Sequence, residues 1–269
     1  MRLIFVRHGD PDYVNDNLTE KGKKEVELLT KRICNWKNIT EFYTSPLGRA
    51  KATGAPSLEK LGRTATEYKW LQEFYYHTTY PENIADKSLA GKDTMCWDLK
   101  PDYFYSDPSF FDKEKWADSD FMKGGNIKAK YKEVCDGIDS ILEKYGYIRN
   151  DKGFYSVKNP VPNRNWSDPI DGYHLNALKK DYPEETTLVF FCHLGVIFTI
   201  ISHLVGLSPM QLWQGFYIAP TSITILNSEE RTAGQAAFRV ERMGDTNHLT
   251  NGGEQISSSG YFADVFREI

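Results

Sequence analysis

The sequence predicts a three-layer α/β/α sandwich with a mostly parallel central sheet. Three observations carry that expectation. Apolar runs of strand length stand at Leu3-Ile4-Phe5-Val6, at Ile39 to Tyr43 and at Leu188 to Cys192. Each run ends at a polar residue, and a segment with helical spacing follows it. With 269 residues and 40% hydrophobic content the chain can bury one large core, so residues 1–269 are expected to form a single domain.

The elements follow in order. Thr19 is placed to cap a helix whose Val26, Leu29, Ile33 and Trp36 recur at three- and four-residue intervals on one face. Pro46 suits the first turn of a second helix, which carries Arg49 near its N-terminus, where the helix dipole favours an anion. Glu67 to Leu71 reads as a strand leading to Glu73. From about 83 to 125 the pattern breaks, and Trp97, Tyr103, Phe104, Phe110, Trp116 and Phe121 fall in no clean period among Asp and Lys. So many aromatics do not stay solvated in a loop, and this segment is expected to be a cap inserted over the site.

Beyond it, Ile127 to Tyr145 has a helical apolar face at Tyr131, Val134, Ile138, Ile141 and Leu142. Gly146 to Val157 reads as a β-hairpin around Asn150-Asp151-Lys152-Gly153. The Pro-rich stretch Asn159 to Asp171 reads as a loop that can bring Arg164 and Trp166 towards a pocket. A helix over Val196 to Val205, a short one from Ser208-Pro209, and late strands at Ser222 to Leu226 and Ala237 to Val240 complete the chain.

Open α/β sheets bind ligands at the carboxyl ends of their strands, which brings Arg7, His8, Arg49 and His193 to one edge. Gly9, just behind the first strand, permits a tight turn there. The planar forks of Arg7 and Arg49 can each contact two oxygens of a phosphoryl group, as lysine cannot. His8 suits the nucleophile's task. Nearby cations discourage its protonation, and a hydrogen bond from its other ring nitrogen to a backbone carbonyl would fix the tautomer. Charge neutralisation around an in-line nucleophile is the equipment of phosphoryl transfer.

Taken together, the motifs resemble the histidine phosphatase superfamily, the phosphoglycerate mutase-like enzymes, in its branch 1, which lacks the His-Asp signature. They are Arg7-His8-Gly9 (the RHG motif), Leu18-Thr19-Glu20-Lys21-Gly22, Ser45-Pro46-Leu47-Gly48-Arg49-Ala50, Leu71-Gln72-Glu73, Cys192-His193-Leu194-Gly195-Val196 and Gly244-Asp245-Thr246-Asn247-His248-Leu249, in the family's order. The resemblance covers roughly the first 75 and last 85 residues. It implies the phosphoglycerate mutase-like sandwich, a phosphohistidine intermediate on His8, and a phosphate pocket of Arg7, His8, Arg49 and His193. It also implies that Glu73 gives the leaving alkoxide its proton. Asp10 and His77 are the other candidates, because Phe74-Tyr75-Tyr76-His77-Thr78 follows where the family commonly has a Gly and a Trp-Glu-Gly run.

His248 is expected to support the site from behind, Asn15 or Asn17 to touch the phosphoryl group, and Ser45 and Thr53 to hydrogen-bond within the pocket. His174 and His203 stand in no motif. The expected activity is a metal-independent phosphatase for a small phosphomonoester, with no cofactor. A phosphoglycerate mutase-type phosphotransferase, primed by a bisphosphate, is the alternative. A binding protein without activity is the third reading, and it would usually have lost one of the four pocket residues, all of which are present.

Composition narrows the partners. A net charge of −4 argues against nucleic acid, although a positive pocket can exist inside an acidic protein. Cys34, Cys96, Cys135 and Cys192 are scattered, which suits reduced thiols rather than a disulfide framework or a metal site. Strand-like residues begin at position 3 and no 18-residue apolar run occurs. No export signal and no membrane span are therefore expected, and the cytoplasm is the expected location.

Overall fold

The computed structural model describes residues 1–160 and 186–261. Arg164, Trp166 and His174 lie outside the described residues. An eight-stranded sheet forms the centre. Four of its strands lie side by side and parallel: β5 (Ala65–Glu67), β4 (Glu41–Thr44), β10 (Thr187–Cys192) and β1 (Arg2–Arg7). Beyond β1 come β11 (Ile223–Thr232), β12 (Gln235–Asp245), β9 (Tyr155–Val157) and β8 (Tyr147–Arg149), all paired antiparallel. Two of these antiparallel pairings have a local reason. β8 with β9 and β11 with β12 are hairpins, and a short turn can join strands only antiparallel.

Alternation along the strands builds the layers. Leu3 and Phe5 of β1, Leu188 and Phe190 of β10, and Tyr43 of β4 face one side. Ile4, Val6, Val189, Phe191 and Phe42 face the other, which is the period-2 geometry of a sheet covered on both faces. Helix α1 (Glu20–Ile33) brings Leu29 and Ile33 onto the second face, beside α2 (Gly48–Leu61) with Leu58 and Leu61. The first face packs on α5 (Ile127–Lys144) and on α6 (Leu194–Val205). Register aligns Phe5, Phe190 and Tyr43 across three strands, and their rings stack at 4.9 Å in each step.

Most elements lie where the sequence puts them. Thr19 caps α1, its side chain accepting from Gly22 N at 3.0 Å. Two readings shift. Glu67 to Leu71 is the end of a short strand followed by a 3₁₀ turn over Lys69–Leu71, and the late strands are much longer than their apolar cores.

Residues 83–125 form β7 (Asp93–Met95), paired with β6 (His77–Thr79), then α3 (Pro101–Ser106), 3₁₀ turns and α4 (Asp120–Gly124). Phe104, Phe110, Trp116 and Phe121 are buried in the same core as the strands. Trp116 meets Trp213 of α7 (Pro209–Gly215) edge to face at 5.8 Å, and Ser208 Oγ donates to Phe110 O at 2.6 Å. Among the described residues no helix is long and apolar enough to cross a membrane. The four cysteines are free thiols.

Candidate functional site

Because β5, β4, β10 and β1 are parallel, their carboxyl ends share one edge, and the polar residues that follow them meet there. Arg7 closes β1, directly opposite Cys192 at the end of β10. The ladder runs one step past both strands. His8 N donates to Cys192 O at 2.9 Å, and Ser45 N donates to Phe191 O at 2.9 Å. His193 then caps α6 in extended backbone. Its ring lies 5.0 Å from that of His8, centroid to centroid.

His8 is buried and its Nδ1 lies 2.8 Å from Gly9 O. A carbonyl only accepts, so Nδ1 carries the proton and Nε2 of the neutral ring keeps its lone pair. Burial, helped by the charges of Arg7 and Arg49, holds its pKa well below the usual histidine range. Gly9 has no left-handed φ, so the tight-turn reading gives way to a packing one. A Cβ there would stand 3.1 Å from Gly22 O and 3.2 Å from Val26, and the bare backbone lets the loop lie on α1. Thr53 of α2 fixes the same loop, accepting from Gly9 N at 2.9 Å and donating to Arg49 O at 2.8 Å.

The two arginines are held by one set of N–H groups and keep another. Arg7 Nη1 donates to Ile218 O at 2.6 Å and Nη2 to Ser259 O at 2.9 Å. Arg49 Nη1 donates to Asp16 Oδ1 at 2.6 Å, while Asp16 Oδ2 accepts from Gly48 N at 2.6 Å. The Nε atoms of both arginines and Nδ1 of His193 are buried without a hydrogen-bond partner among the described residues. Nε2 of His193 is engaged, 2.7 Å from Ser45 Oγ. Buried polar groups are rarely left unpaired, and three such nitrogens beside one buried histidine make a site suited to an anion.

Glu73 follows the 3₁₀ turn after β5. Its Oε1 accepts from Phe74 N at 2.8 Å, Gly195 N at 2.9 Å and Val196 N at 3.3 Å, the last two at the N-terminus of α6. These bonds occupy Oε1, which leaves Oε2 as the oxygen to hold a proton. Burial raises the pKa, against the lowering effect of those N–H groups and of both arginines. Gly195 permits the contact, since a Cβ there would stand 2.6 Å from Oε1.

Glu73, Arg7 and Arg49 line a cavity of about 1060 Å³. Asp10 and His77 do not, and neither do His8 and His193, which are fully buried. Asp10 spends its carboxylate on Thr19 Oγ1 and Ser257 Oγ, and His77 pairs with Asp93 across the β6–β7 hairpin. Asn15 and Asn17 bond within their own loop. His203 pairs with Asp139 at 2.9 Å.

His248 stands behind the site. Its Nε2 lies 3.1 Å from Thr221 Oγ1, whose own proton goes to Pro220 O, and Thr221 N donates to His8 O at 3.1 Å. Arg32, held by Asp245 at 2.6 Å, lies 3.4 Å from Nδ1. Burial lowers the pKa of His248 to about 4, so the ring is neutral and donates from Nε2. The sequence gives no signal for Asp16, Tyr13 or Tyr217, and it places Trp97 only within the segment expected to cap the site. What marks Asp16 is its seat in a left-handed turn at φ +47°, visible only in the backbone. Among the described residues no group of three or more His, Cys, Asp and Glu is placed to hold a metal.

The family model that matches the chain is that of the histidine phosphatase superfamily (branch 1). It covers residues 3–95, which hold Arg7, His8, Arg49 and Glu73, and it is the family the motifs resemble. A comparison with curated protein sequences gives no match. Solved structures share the fold. YhfR of Bacillus stearothermophilus is 19% identical with a TM-score of 0.52, covering 92% of this chain and 98% of its own. A mutant phosphoserine phosphatase from Entamoeba histolytica, crystallised with phosphoserine, is 18% identical with a TM-score of 0.51 over the same shares. Mycobacterial glucosyl-3-phosphoglycerate phosphatase is 16% identical with a TM-score of 0.50, covering 90% of this chain and 98% of its own. At these identities the likeness is one of fold.

Proposed function

We propose that this protein is a metal-independent phosphatase that hydrolyses a small phosphomonoester through a phosphohistidine on His8. The observation that carries the reading is the state of His8. Its Nδ1 is tied to Gly9 O and its proton affinity is lowered, so Nε2 is a free base at neutral pH. The unpaired nitrogens of Arg7, Arg49 and His193 receive the phosphoryl oxygens. With Ser45 Oγ–H donating to Nε2 of His193, its Nδ1–H faces that charge as a neutral donor.

In the first step Nε2 of His8 attacks phosphorus, and the ester P–O bond breaks. The proton on Glu73 Oε2 passes to the departing alkoxide, leaving Glu73 ionised. In the second step Glu73 takes a proton from water, the resulting hydroxide oxygen bonds to phosphorus and the P–N bond breaks, releasing phosphate and restoring both groups. Water access favours hydrolysis over transfer to a second substrate. Tyr13, Tyr75 and Phe216 line the cavity and are exposed by half or more, so it opens to solvent, whereas a mutase must shield its intermediate. Residues 83–125 serve as the cap over this cavity through Trp97 to Pro101, which line it. The substrate is a small phosphorylated molecule, and the cytoplasm is the proposed location.

The test is turnover of sugar phosphates, phosphoglycerates, nucleotides and p-nitrophenyl phosphate in chelator, with His8→Ala alongside. Turnover that survives chelation and vanishes in the variant is expected. Activity retained by His8→Ala overturns the nucleophile, and activity only with a bisphosphate primer points to the mutase.

A further inference from the structure

The cavity is far larger than a phosphoryl group needs, and aromatic rings recur in its lining beside Gln72, Asp98, Lys100 and Gln214. Trp97 and Trp213 form part of the lining, and each indole is pinned. Trp97 Nε1 donates to Phe74 O at 2.9 Å, and its own carbonyl accepts from Gln214 at 2.6 Å. Trp213 Nε1 donates to Gly195 O at 3.1 Å, and its ring stacks on Phe74 at 5.1 Å. Phe74 and Gly195 are also the residues whose N–H groups clamp Glu73 Oε1. The indoles are thus anchored on the two backbone units that hold the proton donor. Glu73 and both indoles line the same cavity, into which an alcohol protonated by Glu73 would depart.

Further rings continue the wall. Tyr13 stands 5.4 Å from the Arg49 guanidinium and Tyr217 stands 5.8 Å from that of Arg7, so aromatic faces begin where the phosphate cations end. Tyr75 and Phe216 line the mouth while exposed by 61% and 50%. Beyond the two arginines, Lys100 is the one cation lining the cavity among the described residues, and the acidic Asp98 lines it too. A second phosphate or carboxylate on the leaving group would find little to hold it. Pinned rings lose little freedom on binding and prefer offset or edge contacts with another flat ring.

Resting on the phosphatase reading above, we propose that the substrate's leaving alcohol carries a flat ring system, bound along Trp97 and Trp213, and that the cavity's aromatics select it. The test uses ester pairs that share a leaving alcohol type and differ by the ring: adenosine 5′-monophosphate against ribose 5-phosphate, and 2-phenylethyl phosphate against ethyl phosphate. A kcat/KM higher by about tenfold or more for the ring member of at least one pair is expected, the size of an aromatic stacking contact. Which pair discriminates tells a nucleobase from a simple aryl group. Trp97→Leu is expected to bring the ratio towards one. Tyr75→Ser with Phe216→Ser, both exposed and safe for folding, should lower it as well.

Equal kcat/KM within both pairs overturns the proposal, as does a ratio untouched by both variants. Silence on every ester defeats the phosphatase reading instead. Tryptophan fluorescence titration of His8→Ala then decides the proposal alone: tighter binding of the ring member supports it, and equal binding overturns it.

Discussion

His8 and Glu73 sit in one site with opposite needs, and burial serves both. Removing a charge from water lowers the pKa of a histidine and raises that of a carboxylic acid, which favours a neutral His8 and, in the proposed mechanism, a protonated Glu73. The pH dependence follows by sign. On an alkyl phosphate, activity should fall on the acid side as His8 protonates and on the alkaline side as Glu73 ionises. On p-nitrophenyl phosphate, whose leaving group needs no proton, the alkaline fall should be absent. Glu73→Gln should slow the alkyl ester by about 100-fold or more and the nitrophenyl ester far less. Gly195→Ala, whose Cβ would displace Oε1, should give the same signature, measured by kcat on both esters. At this scale the grouping of Arg7, His8, Arg49 and His193 was legible, because each closes a strand or lies in the segment that follows one, whereas Glu73 follows a 3₁₀ turn that the sequence reads as strand. The sequence was silent on Asp16, because the turn that aims an acid at Arg49 has no periodicity to betray it.

The elements place these residues through a stack of large rings. Phe190 lies between Phe5 and Tyr43 on three adjacent parallel strands whose ends carry His193, Arg7 and Ser45. Phe190→Ala should cost about 3–5 kcal/mol of stability, read by denaturant melts, because strands paired on both sides leave the gap little room to collapse. The parallel strands and the amphipathic α1 and α5 were legible because burial on one or two faces leaves a plain period. The extent of β11 and β12 was not. Their outer halves, from Ser228 to Arg239, are largely polar or exposed, and hairpin pairing rather than burial extends them. The aromatic segment 83–125 was legible as ordered but not as core, since its rings fill the space beside α5 and α7 without regular spacing.

Across the whole molecule, two buried groups that do not line the cavity set a pH dependence of stability with opposing slopes. Glu25 of α1 is fully buried, and burial lifts its pKa from 4.5 to about 7. Between those values the folded protein binds more protons than the unfolded chain, so this group's contribution falls as pH rises. His248 is depressed from 6.5 to about 4, so its contribution is full above 6.5 and is lost as pH falls towards 4. The two offset each other between about pH 4.5 and 6.5. Glu25→Gln should therefore expose the His248 slope, and thermal melts should show Tm rising more steeply with pH there than in the parent. The most direct measurement looks for the phosphorus–nitrogen bond proposed for His8. The protein would be mixed with a turned-over ester, quenched within one turnover in alkali, where a phosphorus–nitrogen bond survives, and mapped by peptide mass spectrometry. Phosphate on the peptide bearing His8, at His8 and absent in His8→Ala, is the predicted result. Turnover with no phosphorylated His8 at any time point, or the label on another residue, would contradict it.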